Sequence, residues 1–232
     1  AASRWRKLPR NVMERIIEEG HKRGLEVYAW LNPYRYSTSS DNHGTLDTDY
    51  STTHPEWLKL CESGDSHITI LEPGEPAVVD QICKIVADIV TRYDVDGIVF
   101  DDYFYQAGYK NEYDEELYEA NNPLSLSRGD WRRAQVDTMV AHVNRTIKAI
   151  KPYCRFGISP AGVTASQPAV AAKYGVRQSP GYDWQYDGIY ADPLSWVRDH
   201  DIDFISPQVY WPIGATEDYS EITPWWYEVK IG

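Results

Sequence analysis

Apolar residues recur along this chain in two rhythms, a helical period of three to four and short continuous runs of strand length. Over residues 10–23, Val12, Ile16 and Ile17 sit among charged neighbours, a helical spacing that Gly24 ends. Residues 25–31 then form an apolar run read as a strand, closed by Pro33. A polar loop is expected from residue 34 to about 53. A short helix opened by Pro55 should follow through Cys61, and residues 67–71 read as a short strand before Pro73-Gly74.

The second half repeats the theme at greater length. Residues 77–93 predict an amphipathic helix with Val78, Ile82, Ile85, Val86, Ile89 and Val90 on one face. Asp96-Gly97 turns into Ile98-Val99-Phe100, a run suited to a strand buried on both faces. An acidic loop over 103–128 leads to the longest helix, 130–151, which ends before Pro152. Strands are expected at 155–159 and 202–206, with a long loop and a helix at 192–200 between them, and Pro224 opens a last helical turn.

Helices alternating with strands predict βα units around a parallel sheet. The long loops follow the strand C-termini, where barrel enzymes build their sites, which favours a (β/α) barrel over a doubly wound sheet. No Gly-rich dinucleotide turn or phosphate loop is present. Four strands and the short one at 67–71 fall short of the eight of a closed barrel, and the chain opens on a helix. The expectation is one domain over 1–232, an incomplete barrel lacking strands at both ends.

Charge and composition narrow the partners. The net charge is −12 over 232 residues, which repels phosphate backbones and anionic lipid, so no nucleic-acid partner is expected. No apolar stretch of spanning length occurs, and the N-terminus, Ala1-Ala2-Ser3-Arg4-Trp5, carries no leader segment. An export signal is therefore expected to have been removed or never present. Cys61, Cys83 and Cys154 are too few and too scattered for a disulfide framework or a zinc cluster. The aromatic residues are 18 Tyr and 9 Trp against 4 Phe. A buried Tyr or Trp needs a hydrogen-bond partner, so this bias fits either an aromatic-rich core or faces that stack on sugar rings.

The strongest candidate chemistry lies in Asp96-Gly97-Ile98-Val99-Phe100-Asp101-Asp102-Tyr103-Phe104-Tyr105. A buried strand ending in two carboxylates and three aromatics places charge at a barrel mouth. Glycoside hydrolysis uses two carboxyl groups, one protonated and one ionised. Adjacent strand residues point to opposite faces, so one of Asp101 and Asp102 is expected to face the barrel axis and the other a loop; either also suits a loop cap. Trp30-Leu31-Asn32-Pro33-Tyr34-Arg35 offers stacking faces in Trp30 and Tyr34. Asn32 and Arg35 suit hydroxyls or a carboxylate, or else a packed strand end with Arg35 paired to a structural acid. In Ser206-Pro207-Gln208-Val209-Tyr210-Trp211, period-two alternation puts Gln208 and Tyr210 on one face. Ser159, followed by proline, is no nucleophile elbow and serves as a hydrogen bonder at most. The oxygen-rich segment 41–49 lacks calcium-loop spacing, the six histidines never fall at a metal-ligand spacing, and the sequon at Asn144 sits inside the long helix. No metal site and no cofactor are expected.

Taken in order, these segments resemble the glycosyl-hydrolase-like family 10. The resemblance is carried by His21 to Arg35, His54-Pro55-Glu56-Trp57-Leu58, Asp96 to Tyr105, Asp130-Trp131-Arg132-Arg133, Phe156 to Gly162, Ala191-Asp192, Ser206 to Trp211 and Trp225-Trp226. One departure is Gln135, where members usually carry asparagine. A likeness to the DG motif of family 18 chitinases stops at Tyr103, where those enzymes have a catalytic glutamate. The resemblance implies a (β/α)8 TIM-barrel fold of which about strands three to six are present. Asn32 and Arg35 would then follow the third strand, Asp101 and Asp102 the fourth, Ser159 the fifth, and Gln208 and Tyr210 the sixth. It further implies a secreted, periplasmic or lipid-anchored glycosidase acting on a polysaccharide or oligosaccharide, with N-acetylated glycan strands of peptidoglycan as one such substrate. Asp101 or Asp102 would serve as acid or nucleophile, and Trp30, Tyr34, Tyr103, Tyr105, Tyr210 and Trp211 would line the subsites. A non-catalytic glycan-binding barrel fits the same features.

Overall fold

The computed structural model of the protein describes residues 11–38 and 47–229. The N-terminal segment and most of the oxygen-rich segment 41–49 therefore lie outside the described residues. The chain is mixed α/β around a parallel sheet. In chain order its elements are α1 (Val12–His21), β1 (Tyr28–Leu31), β2 (Arg35–Ser37), α2 (Tyr50–Thr53), β3 (Leu58–Ser63), β4 (Ser66–Leu71) and α3 (Pro76–Arg92). Then follow β5 (Gly97–Phe100), α4 (Glu115–Ala120), α5 (Arg128–Ile150), β6 (Arg155–Ile158), α6 (Pro168–Tyr174), α7 (Gln185–Gly188), α8 (Pro193–Arg198), β7 (Phe204–Ile205) and α9 (Tyr219–Glu228).

The four strands β1, β5, β6 and β7 lie side by side in that order, all parallel. Among the described residues the sheet is open, and no closed barrel is formed. The central strand β5 is buried throughout. One of its faces, with Ile98 and Phe100, joins the main core. Val78, Ile82 and Val86 of α3 pack there, together with Val136, Met139, Val140 and Val143 of α5. On the other face Gly97 admits the Tyr28 ring and Gly157 the Phe204 ring. Tyr28, Trp30, Val99, Arg155 and Phe204 line an open hollow there of about 330 Å³.

Several expectations need correction. Residues 55–61 are not a helix. Only Pro55–Trp57 makes a 3-10 turn, and Leu58–Ser63 pairs with Ser66–Leu71 as a hairpin across Gly64, whose φ of 57° suits glycine. The loop expected over 34–53 contains β2, which pairs antiparallel with β4 to make a second, three-stranded sheet. The acidic loop after β5 carries α4, and the last helix begins at Tyr219, with Pro224 inside it. On α3, Val79 is buried while Ile85 is 41% exposed. At 3.6 residues per turn the buried stripe centres between Val78 and Val79 and leaves Ile85 at its rim. On α1 only Ile17 is buried, and Val12 and Ile16 face solvent.

Candidate active site

The parallel strands end level with one another. Leu31 is in register with Phe100, Phe100 with Ile158, and Ile158 with Ile205. The next residues along, Asn32, Asp101, Ser159 and Ser206, therefore form a row at the C-terminal edge of the sheet. The ladder continues by one step, because Asp101 N donates to Leu31 O at 3.0 Å and Ser159 N to Phe100 O at 2.8 Å.

Strand β5 ends at Phe100, and the two aspartates follow it directly. Asp101 Oδ1 accepts from Asp102 N at 3.0 Å and from Gln208 Nε2 at 3.1 Å. Asp102 is buried at 7% exposure, and its Oδ1 has no hydrogen-bond partner. Burial chiefly, then the hydrogen-bonding contact with Asp101 and its negative charge, push the Asp102 carboxyl up to about 6, while Arg35 pulls the other way. The two carboxyls thus interact, and the charge of Asp101 opposes ionisation of Asp102.

Arg35, at the start of β2, lays its guanidinium over the Tyr103 ring, 4.0 Å from the centroid, and its Nε is buried without a partner. Asn32 Oδ1 is likewise buried and unpartnered. Ser159 is turned inward. Its Oγ donates to Ser206 O at 2.8 Å and it is 2% exposed, so its donor is already used by the protein. Gln208 Nε2 donates to Ser159 O at 2.9 Å as well as to Asp101. Trp211 packs over Gly162, where a Cβ would approach its ring to 2.8 Å.

The structure therefore gathers Asp101, Asp102, Gln208 and Ser159 at one point, with the Arg35–Tyr103 stack acting on it. It does not bring all the expected aromatic faces there. Tyr34 and Tyr105 are 0% exposed. Tyr34 is packed in the core with its hydroxyl unpartnered, and Tyr105 is wedged edge-on between Tyr109 and Tyr190. Neither has a face for a ligand, and burial drives both hydroxyls above the ordinary tyrosine range. Trp30 is 53% exposed in the hollow against the sheet, and Tyr210 is 83% exposed beyond β7.

Sequence reasoning passed over Glu72, which directly follows the apolar run of β4. It is 1% exposed, accepts from Gly74 N at 2.9 Å and from the Tyr109 hydroxyl, and is pushed up by burial. A carboxylate immediately after an apolar strand was the available signal. Among the described residues no group of His, Cys, Asp and Glu is placed to hold a metal ion, and no helix is long and apolar enough to cross a membrane.

The family model described as Glycosyl hydrolase-like 10 matches residues 4–232. Glycosyl hydrolase DigH of Escherichia coli strain K12 is 38% identical over 226 residues, covering 92% of this chain and 49% of that protein. Glycosyl hydrolase YngK of Bacillus subtilis strain 168 is 39% identical over 226 residues, covering 93% of this chain and 42% of that protein. The chain spans about half the length of the curated relatives it matches. Among solved structures, an α-galactosidase from Lactobacillus brevis is similar over 68% of this chain and 19% of its own, with 20% identity and a TM-score of 0.44. The α-L-fucosidase isoenzyme 2 from Paenibacillus thiaminolyticus is similar over 82% of this chain and 29% of its own, with 17% identity and a TM-score of 0.46.

Proposed function

The chain belongs to the Glycosyl hydrolase-like 10 family, and from that footing we propose that it hydrolyses O-glycosidic bonds of a bacterial polysaccharide, with N-acetylated glycan strands of peptidoglycan as the substrate. The observation that carries this is the unequal pair at the sheet's C-terminal edge. Asp102, raised to about 6 by burial and by its contact with Asp101, keeps its proton to higher pH than an ordinary aspartate. A carboxyl held protonated near neutrality is what a general acid needs to protonate a leaving glycosidic oxygen.

We read these two adjacent, interacting residues as one unit, not as the two groups set roughly 5–5.5 Å apart in retaining or 6.5–9.5 Å apart in inverting enzymes. It therefore fills one of the two roles. The other falls to the substrate's own 2-acetamido group, an exception to the two-carboxylate rule. Its oxygen attacks the anomeric carbon as the C–O bond breaks and Asp102 hands its proton to the departing alkoxide. Water then opens the cyclic intermediate, giving up its proton to the Asp102 carboxylate. Tyr210 and Trp211 would carry sugar faces beside the pair. We further propose that the open sheet is part of a (β/α)8 barrel, a reading that the uncovered aromatic hollow at Trp30 supports, and that the protein works in the cell envelope.

The test is to replace Asp101 and Asp102 singly by Asn in the intact protein and to assay release of oligosaccharides from purified glycan strands. Loss of turnover in Asp102→Asn with retained binding is expected. Wild-type rates in both variants would sink the proposal. Binding by the unmodified protein without any product would favour a glycan-binding module instead.

A further inference from the structure

Gln208 lies 107 positions from Asp101 in the chain, yet its side-chain nitrogen reaches both Asp101 Oδ1 and the Ser159 main-chain oxygen. A carbonyl oxygen can only accept, so the contact with Ser159 O fixes which end of the amide faces inward. The NH2 group must point at the acidic pair. The backbone around it is held too, since Gln208 N donates to Pro160 O at 2.8 Å and the residue bridges to Ala161. On the other side, a Cβ at Gly162 would come within 2.5 Å of Gln208 O, so the chain there is tightly seated.

Asp101 Oδ1 thus receives two N–H donors, one from Gln208 and one from the Asp102 backbone. Asp102 Oδ1 receives none and is shut away from water. Hydrogen bonds to a carboxylate favour its ionised form, and an unpartnered buried carboxyl favours its neutral form. We propose that Gln208 is a positioning residue that assigns the single proton of the pair to Asp102 and keeps Asp101 the anion. This rests on the reading of Asp101 and Asp102 as the acidic centre. The charged groups that face Asp102 are Asp101 from its own segment and Arg35 from β2, the latter held over Tyr103. Gln208 is the neutral third group, and it adds to the asymmetry that the Asp102 backbone N–H and the burial of Asp102 already set between the two carboxyls.

The experiment is a titration of side-chain carboxyl carbons by NMR in 13C-aspartate-labelled protein, with Asp101→Asn and Asp102→Asn used for assignment. In the unmodified protein the later-titrating carboxyl should be that of Asp102. In Gln208→Leu, which removes the donor, the two apparent midpoints should move toward each other by about one pH unit, the scale of one charge-assisted hydrogen bond. Gln208→Asn, which keeps an amide too short to span both acceptors, asks the same question if the leucine variant does not fold. Unchanged midpoints in a folded variant, or a proton found on Asp101 in the unmodified protein, would overturn the proposal. No substrate enters this measurement, so a failure of the hydrolase reading shows separately as absence of turnover. Where turnover is present, the basic limb of kcat/KM should shift with the NMR midpoint while KM stays constant.

Discussion

Arg132 on α5 grips Asp114 by both carboxylate oxygens inside the protein, Nε to Oδ2 at 2.6 Å and Nη2 to Oδ1 at 2.9 Å, with the two residues 1% and 0% exposed. Asp114 lies in the long segment that leaves the sheet after Asp102. The pair therefore ties that segment to the longest helix. Arg128 shares the same aspartate at 2.7 Å, and the Tyr190 hydroxyl and Asn111 Oδ1 accept two more of the Arg132 donors.

Removing one partner of such a pair strands the other charge without water. Asp114→Ala should cost about 3–5 kcal/mol, the usual penalty for an orphaned buried ion. Arg132→Met should cost less, because Arg128 still neutralises Asp114. Urea unfolding midpoints of the two variants check the order, and equal losses would mean that Arg128 does not compensate.

The floor of the site depends on the absence of two side chains. A Cβ at Gly97 would come within 2.3 Å of the Tyr28 ring and 2.6 Å of the Arg155 carbonyl oxygen, whereas at Gly157 the near atoms all belong to the Phe204 ring. A ring at the end of a two-residue strand can swing aside, but a main-chain oxygen in a parallel ladder cannot. Overpacking of this kind costs about 1–3 kcal/mol. Gly97→Ala should fall at the upper end and Gly157→Ala at the lower, read as the difference in their thermal unfolding midpoints.

Strand β5 and helix α3 were legible because their signal is local, an apolar run of three residues or a stripe at helical spacing. The acidic pair was legible for the same reason, as charge placed directly after that run. Of the second sheet only β4 was legible, as the short run at 67–71. What makes Leu58–Ser63 a strand is pairing with Ser66–Leu71 across Gly64, which its own residues do not dictate alone. Nor did residue type separate Trp30 from Tyr34. The two are four positions apart at one strand end, yet one is half exposed and the other sealed in the core. The contact of Gln208 with Asp101 joins the ends of β5 and β7 across β6 and follows from no spacing in the chain.

If Asp102 is the proton donor, the rate of hydrolysis should fall as pH rises through about 6, because only the protonated carboxyl can act. Arg35 favours the ionised form of Asp102. Replacing it with Met removes that pull, so the basic limb of kcat/KM should move to higher pH. A limb that moves to lower pH in Arg35→Met, or stays in place, would assign the titration to another group.

Asp137 on α5 offers a test of stability that bypasses the site. It accepts Trp196 Nε1 at 2.7 Å and Ser195 Oγ at 3.1 Å, both neutral donors. Burial first, and the charge of Asp192 second, push its carboxyl up to about 7, against the opposing pull of Lys173. An unfolded aspartate titrates near 3.9. Between about pH 4 and 7 the folded protein therefore holds a proton that the unfolded chain has released, and stability contributed by this group falls as pH rises through that window. Asp137→Asn keeps an oxygen for Trp196 and removes the charge. The variant should match the parent near pH 4 and exceed it by about 1–3 kcal/mol at pH 8. Urea titrations at the two pH values decide it, and a variant no more stable than the parent at pH 8 would show that the native protein tolerates the Asp137 charge without cost.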